Sequence, residues 1–174
     1  SESDLPAGAR FEVGPDGKRS GAIIGPSTAI VALFNKLPKP APDQQIEGTK
    51  KFFRELNRLG VTGFVDPGGN NLFPTDYPAV FKVWRDGQMT VRVAFALNGQ
   101  TPGSEFEEYQ SLTRMLPMGF GDEVLKFNGI GERITWEMND NDNPSQAQKD
   151  RYYEIIKWAA ERGMALTMHW SRDA

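Results

Sequence analysis

The stretch Met164-Ala165-Leu166-Thr167-Met168-His169 is an apolar run that closes on the only histidine of the chain. A strand that presents an imidazole at its carboxyl end, after several alternating helices and strands, is typical of α/β barrels. We therefore expect parallel α/β architecture, with His169 at the edge where such folds carry their chemistry. The sequence stops five residues after His169, so we also expect a barrel that is cut partway round.

Working back from this run, helix and strand patterns alternate four times. Apolar spacing predicts helices over residues 45–59, 75–86, 104–115 and 145–162, with a capping box formed by Ser104 and Glu107. Strands are predicted over residues 61–66, 90–97, 124–130 and 164–168, and residues 133–136 are also strand-like. Such alternation indicates parallel strands joined by right-handed helical crossovers.

Two architectures fit this order of elements. One is a partial (β/α)8 TIM barrel of about four βα units, and the other is a small open sheet wound like flavodoxin. A complete barrel needs roughly 250 residues. The chain has 174 residues and cannot close a barrel by itself.

The first part of the chain has a different character. Residues 1–42 are rich in glycine and proline, and we expect an irregular arm and linker there, followed by a partial barrel over residues 43–174. Within the arm, Gly14-Pro15-Asp16-Gly17 is typical of a tight turn, and residues 28–34 favour one short helix.

Composition excludes several classes of partner. The net charge is -3 and the basic residues are dispersed, which is unlike a nucleic-acid-binding protein. Without cysteine there is neither a disulfide nor a thiolate metal site. No apolar stretch reaches the roughly 20 residues of a membrane span, and the first residues do not resemble a signal peptide. We expect a cytoplasmic protein with a small-molecule substrate and neither nucleic-acid nor membrane partners.

Candidate functional residues are those that follow the predicted strands, because ligands of parallel sheets bind at the carboxyl ends. These positions are held by Asp66, Asn98, Glu132, His169 and Trp170.

Each candidate has a plainer alternative. His169 is either a metal ligand or a surface histidine, and a metal site needs three or four ligands, whereas no second histidine exists. Glu132 is either a carboxylate ligand, a salt-bridge partner of Arg133 or a helix cap. The loop Asp66-Pro67-Gly68-Gly69-Asn70 either offers backbone N–H groups to an anion or is a simple glycine turn.

Three blocks of the sequence resemble a known family. They are Leu56-Asn57-Arg58-Leu59-Gly60-Val61-Thr62-Gly63-Phe64-Val65-Asp66-Pro67-Gly68-Gly69, then Asp86-Gly87-Gln88-Met89-Thr90-Val91-Arg92-Val93, and finally the run from Trp158 to Trp170. Together they are similar to the YtcJ-like branch of the amidohydrolase superfamily, also called the amidohydrolase 3 family. The similarity covers most of the chain from about residue 45 onward.

The resemblance implies a distorted (β/α)8 barrel that hydrolyses carbon–nitrogen bonds other than peptides. It implies one or two divalent ions, usually zinc, that activate a water molecule. His169 corresponds to the family's fifth-strand ligand. Glu132 is aligned with the fourth-strand lysine, and Lys126 is the competing assignment. The remaining ligands of the family have no counterpart in this sequence.

Two hypotheses follow. The first is a section of a metal-dependent hydrolase, covering about the second to fifth barrel strands, which binds no metal and is inactive when isolated. Asp66, Asn98 and Trp170 then contact the substrate, and the isolated section self-associates through exposed barrel edges. The second is a self-contained α/β module that binds a small ligand without turnover.

Overall fold

The structure of the protein is a computed structural model that describes residues 4–68, 77–138 and 141–168. The chain divides into two compact units, residues 1–41 and residues 42–174. Each unit is described by itself below.

The first unit contains a hairpin that sequence analysis did not predict. Strands β1 (Arg10–Val13) and β2 (Arg19–Ile24) pair antiparallel, and helix α1 (Ser27–Phe34) follows. The predicted turn joins the strands, with the Gly14 N–H donating to the Lys18 carbonyl over 2.8 Å. The hairpin differs from the irregular arm that we expected here. Nearly all the glycines and prolines lie in the turn or outside the two strands, which leaves two extended runs between them.

The second unit repeats helix and strand four times, as predicted. Its elements are α2 (Pro42–Arg58), β3 (Gly63–Asp66), α3 (Pro78–Arg85), β4 (Arg92–Leu97), α4 (Glu105–Met115), β5 (Leu125–Ile130), a 3-10 turn (Trp136–Met138), α5 (Gln146–Ala160) and β6 (Ala165–Leu166). Among the helices that the structure describes, none is long and apolar enough to cross a bilayer.

Local capping explains where α5 begins but not where α4 begins. At α5 the Ser145 hydroxyl accepts from the Gln148 N–H, and the Gln148 side chain accepts from the Ser145 N–H, which is a complete capping box. The capping box expected at Ser104 is absent, since that side chain makes no capping hydrogen bond. Glu107 instead holds both its oxygens toward Arg151, at 2.7 and 2.9 Å.

The strand expected over residues 133–136 is also wrong. These residues precede and enter the 3-10 turn, and two hydrogen bonds fix their course. The backbone N–H of Trp136 donates to Glu105 over 2.9 Å, and its indole N–H donates to the Gly99 carbonyl over 2.9 Å. The first bond attaches the segment to the start of α4, and the second attaches it to the chain just after β4, so residues 133–136 do not form a strand.

The order of strands decides between the two expected architectures. The sheet runs β3-β4-β5-β6, every pair is parallel, and each strand lies beside its neighbour in the chain. In a flavodoxin-like sheet, the order in which strands are added reverses at a switch point. In a barrel, each new strand is added on the same side of the last one. The expected partial barrel is confirmed, as a half-barrel sheet covered by helices.

Residues of β4 alternate between the two faces of this sheet. Side chains of Val93, Phe95 and Leu97 point to one face, here called the helix face, where they join a core formed with all four helices. The alternate residues Arg92, Ala94 and Ala96 occupy the opposite face, here called the concave face. Helix-face residues are almost completely buried, and Arg92 is exposed.

Candidate functional site

The carboxyl ends of the four parallel strands meet through backbone contacts. The Gly131 N–H donates to Leu97 over 2.8 Å, which connects the segment after β5 to the end of β4. The Thr167 N–H donates to Ile130 over 3.1 Å, and the Thr167 hydroxyl donates to Pro67 over 3.1 Å. Chain segments from both edges of the sheet therefore come together at this carboxyl edge.

Two glycines allow this close approach. Gly68 has a φ of +92°, and a Cβ atom there would lie 2.1 Å from the carbonyl oxygen of Gly131. Gly131 has a φ of +155°, and a Cβ atom there would lie 1.8 Å from the Thr167 hydroxyl oxygen. Any larger residue at either position forces the segments apart. These glycines were not singled out as a pair from the sequence.

Asp66 lies on the helix face, opposite Phe95 in the sheet register. One carboxylate oxygen accepts from the Gly68 N–H over 3.0 Å, and the other accepts from the Tyr77 hydroxyl over 2.5 Å. Burial raises the pKa of Tyr77, and the hydrogen bond to Asp66 raises it further. Asp66 thus accepts hydrogen bonds from Gly68 and Tyr77, which come before and after residues 69–76 in the sequence. Its predicted contact with the substrate stays a prediction.

Asn98 follows β4 and is 2% exposed. Neither its amide nitrogen nor its amide oxygen has a hydrogen-bond partner within the described part of the chain. Most buried polar groups in proteins are paired, so an exception calls for an explanation. Asn98 is thus a candidate for contact with a ligand.

The two alternatives for the fourth-strand ligand lie at different ends of β5. Lys126 is the second residue of the strand, opposite Ala94, and is exposed on the concave face. Glu132 follows the strand and is half-buried at the carboxyl edge, with its N–H 3.4 Å from the Gly68 carbonyl oxygen. Its position favours Glu132 as the residue nearer to the expected chemistry.

His169 and Trp170 lie outside the described residues. The strand that precedes them is present as β6, which pairs parallel with β5 through Ala165 and Leu166. Because β6 is parallel to the other strands, its carboxyl end lies at the same edge. Thr167, two residues before His169, makes the contacts described above.

Described residues alone do not fit a metal centre. Over residues 4–68, 77–138 and 141–168, no three His, Cys, Asp or Glu side chains are close enough together to hold an ion. A protein zinc site needs three or four such donors. Glu132 therefore needs donors from elsewhere before it can hold a metal.

A buried polar cluster beside the edge was missed by sequence reasoning. Tyr109 in α4 is completely buried; its hydroxyl accepts from the Gly99 N–H over 2.9 Å and donates to the Arg133 carbonyl over 2.8 Å. Burial raises the pKa of this phenol. Glu105 and Thr135 are also buried, and the Thr135 hydroxyl has no partner among the described residues. Helical periodicity places Tyr109 on an apolar face, but it carries no signal for these distant partners.

Together, the unidirectional parallel sheet and the polar residues at its carboxyl edge define an α/β protein of the barrel class. The Amidohydrolase family profile matches residues 1–174, and the chain belongs to this family. This confirms the resemblance drawn from the sequence blocks.

Two solved structures are similar in fold. An uncharacterized metal-dependent hydrolase from Pyrococcus furiosus has a TM-score of 0.52 and 18% identity, over 91% of this chain and 35% of that one. An uncharacterized metal-dependent hydrolase from Pyrococcus horikoshii OT3 has a TM-score of 0.53 and 15% identity, over 91% and 34%. This chain thus spans about a third of the length of those proteins. No curated protein matches it.

Proposed function

We propose that this chain is one section of a metal-dependent hydrolase that acts on carbon–nitrogen bonds other than peptides. The family match supports the class of protein, and the strand order supports a position within a barrel. The length of the two similar hydrolases supports the idea of a section, since each extends well beyond the part that aligns. On this proposal the section is inactive without the rest of the barrel.

In the intact enzyme, His169 and Glu132 contribute two donors to a zinc site. Imidazole and carboxylate are both zinc ligands, and the remaining donors come from outside this chain. A zinc ion bound there would supply an activated water for attack on a carbonyl-type carbon. The chain's own part is to deliver its two donors from neighbouring strand ends, β5 and β6.

Substrate contacts are proposed for Asn98, Asp66 and Trp170. Asn98 offers an unpartnered amide near the edge, which makes it suitable for a direct hydrogen bond. Each oxygen of Asp66 accepts one hydrogen bond, from Gly68 or Tyr77, and a carboxylate oxygen can accept a further bond from a substrate. Trp170 follows His169 directly and brings an aromatic surface to the same strand end.

The observation that carries the proposal is the position of Glu132, at the carboxyl edge of a sheet whose next strand leads into the only histidine. The test is zinc content, measured by mass spectrometry of the natural gene product that contains this sequence. We expect bound zinc in the wild-type protein, and its loss in His169→Ala and Glu132→Gln. Glu123→Gln, at an exposed position before β5, is the control and should retain the metal. Equal zinc content in all variants would contradict the proposal.

The ligand-binding module is the second candidate, and the continuous core favours it. Helices and strands of residues 42–174 contribute to one apolar cluster, so this unit has the packing of a domain that folds by itself. The hypothesis of a ligand-binding module predicts a single cooperative unfolding transition and a melting temperature that rises when ligand is added. A section should instead bind hydrophobic dye and self-associate.

A further inference from the structure

We propose that the groove between α4 and α5 binds the phosphate group of a small molecule, at the end of the sheet opposite to the candidate functional site. Crossover helices run back along the strands that they join, so the last turns of α4 and α5 lie toward the amino edge of the sheet. A cleft of about 340 Å3 opens between these turns, a volume within the usual range of ligand sites. It is lined by Gln110, Thr113, Arg114, Trp158 and Arg162.

A row of stacked side chains orders this groove. The Arg151 guanidinium lies over the Phe106 ring, 5.0 Å from its centre. Phe106 meets Trp158 edge to face, with the ring centres 5.5 Å apart. The Arg162 guanidinium lies over the Trp158 ring, 4.7 Å from its centre. An arginine is therefore held against an aromatic ring at each end of the row.

The two arginines of this row differ in how their charge is balanced. Arg151 donates to both oxygens of Glu107, over 2.7 and 2.9 Å, and to Glu154 over 3.1 Å. Arg162 donates to the Trp158 carbonyl oxygen over 3.0 Å and forms no ion pair with any residue that the structure describes. Its guanidinium is thus held in place, while its charge and its remaining N–H donors are available to a ligand.

Arg114 adds a second uncompensated charge to the cleft. It is exposed in the last turn of α4, and it makes no hydrogen bond or ion pair within the described ranges. The acidic residues of α4 all lie in its first turn, and Glu161, which precedes Arg162, is exposed and does not line the cleft. The carbonyl ends of the two helices contribute about half a negative charge each, so the two arginines leave a net charge of about +1. The cleft therefore attracts an anion.

The donors favour a phosphate over a carboxylate. A phosphate monoester carries a charge of about −1.5 to −2 at neutral pH and has three acceptor oxygens, which two guanidinium groups can share. A carboxylate has one charge and two oxygens, and a single arginine can pair with it completely. The Thr113 hydroxyl donates to the Tyr109 carbonyl oxygen over 2.7 Å, so it can accept from a hydroxyl group of the ligand. A small phosphorylated alcohol fits this set of groups.

The test is direct binding to the full 174-residue chain, labelled with 15N. Glycerol 3-phosphate is titrated at constant ionic strength, and the indole N–H resonance of Trp158 reports occupancy of the cleft. We expect a saturable shift with a millimolar dissociation constant, and acetate should bind at least about tenfold more weakly. The indole N–H of Trp84, which donates to Asp122, is the internal reference and should not shift. Absence of a saturable shift at Trp158, or equal affinity for acetate, would overturn the proposal.

Variants separate this site from a general attraction of anions. Arg114→Gln removes one charge without breaking a contact of the folded protein, so it should weaken binding about tenfold and leave the melting temperature nearly unchanged. Arg114→Lys keeps the charge but not the planar pair of donors, and its affinity should be intermediate. Arg85→Gln is the matched control, because Arg85 is also an exposed arginine in the last turn of a helix, and it should bind normally. Equal weakening by Arg114→Gln and Arg85→Gln would overturn the proposal.

Neither readout involves zinc or turnover. The outcome is therefore independent of the proposed hydrolase function, and either proposal can fail while the other stands.

Discussion

The Thr167 hydroxyl donates a hydrogen bond of 3.1 Å to the Pro67 carbonyl oxygen, and so joins segments that follow the two edge strands of a four-stranded sheet. Neighbouring strands lie about 4.8 Å apart, so these edge strands would be about 14 Å apart in a flat sheet. The bond shows how strongly the carboxyl edge curls. Thr167, the donor of this bond, comes two residues before His169 in the sequence.

Removing this bond should loosen the carboxyl edge. Thr167→Val keeps the shape of the side chain but leaves the Pro67 carbonyl without its donor, and we expect a loss of about 1 kcal/mol in the free energy of unfolding. Urea denaturation measures this change. Thr62→Val, at an exposed position before β3, is the control and should change stability much less. Equal effects in both variants would mean that the Thr167 bond does not stabilise the fold.

The glycine contact can be tested in a similar way. Gly68→Ala should lower the free energy of unfolding by more than about 1 kcal/mol, because its φ is positive and its Cβ atom would overlap Gly131. Gly48→Ala is the matched control, since Gly48 lies within α2 with no atom near its ideal Cβ position. That change should raise stability by about 0.5–1 kcal/mol. A Gly68→Ala protein with the same free energy of unfolding as the wild type would contradict the close approach of the two segments.

Tyr77 should make stability depend on alkaline pH. Its pKa is raised in the folded protein by burial first and by Asp66 second, so the unfolded chain ionises more readily. The resulting stability is complete below the ordinary tyrosine pKa of about 10 and is lost as the pH rises above it. Tyr109 and Tyr152, whose pKa values burial also raises, add to this loss.

Tyr77→Phe should therefore flatten the alkaline decline in the free energy of unfolding, and at neutral pH it should cost about 2 kcal/mol through the lost bond to a carboxylate. Tyr153→Phe serves as the control because Tyr153 is 63% exposed. An unchanged pH profile in Tyr77→Phe would mean that the phenol is not shielded as described.

Exposed sheet edges should lead to self-association. Val65 in the edge strand β3 is 56% exposed, and the residues on either side of it, Phe64 and Asp66, line an apolar cleft of about 330 Å3. Val65→Lys should lower the sedimentation coefficient at high protein concentration, since a charge on an edge strand opposes strand pairing. Met115→Lys, at the end of α4, should leave it unchanged. A wild-type chain that is monomeric at all concentrations would contradict this proposal.

Much of the fold could be predicted from local pattern. The helix and strand order of residues 42–174 follows from apolar spacing, because each element buries one face in a shared core. The predictions that failed concern residues whose contacts are far away in the sequence. Glu107 pairs with Arg151 rather than capping α4, and residues 133–136 follow the hydrogen bonds of Trp136 instead of their own strand-like composition.

The candidate site shows the same limit. Asn98 and Glu132 were identified because each follows a predicted strand, and the family resemblance then aligned Glu132 with the fourth-strand ligand. Thr135 and Tyr109 were missed, since their burial depends on how α4 packs against the segment after β5. Asp66 was correctly placed at the carboxyl end of a strand, but the register that turns it toward Tyr77 could not be inferred from the sequence alone.

The most direct measurement is the native mass of the natural gene product that carries this sequence, which reports polypeptide length and bound metal together. We expect a polypeptide well beyond 174 residues with a zinc-sized addition to its mass, and loss of that addition in His169→Ala. A polypeptide of only 174 residues without metal would contradict the hydrolase proposal and favour the ligand-binding module.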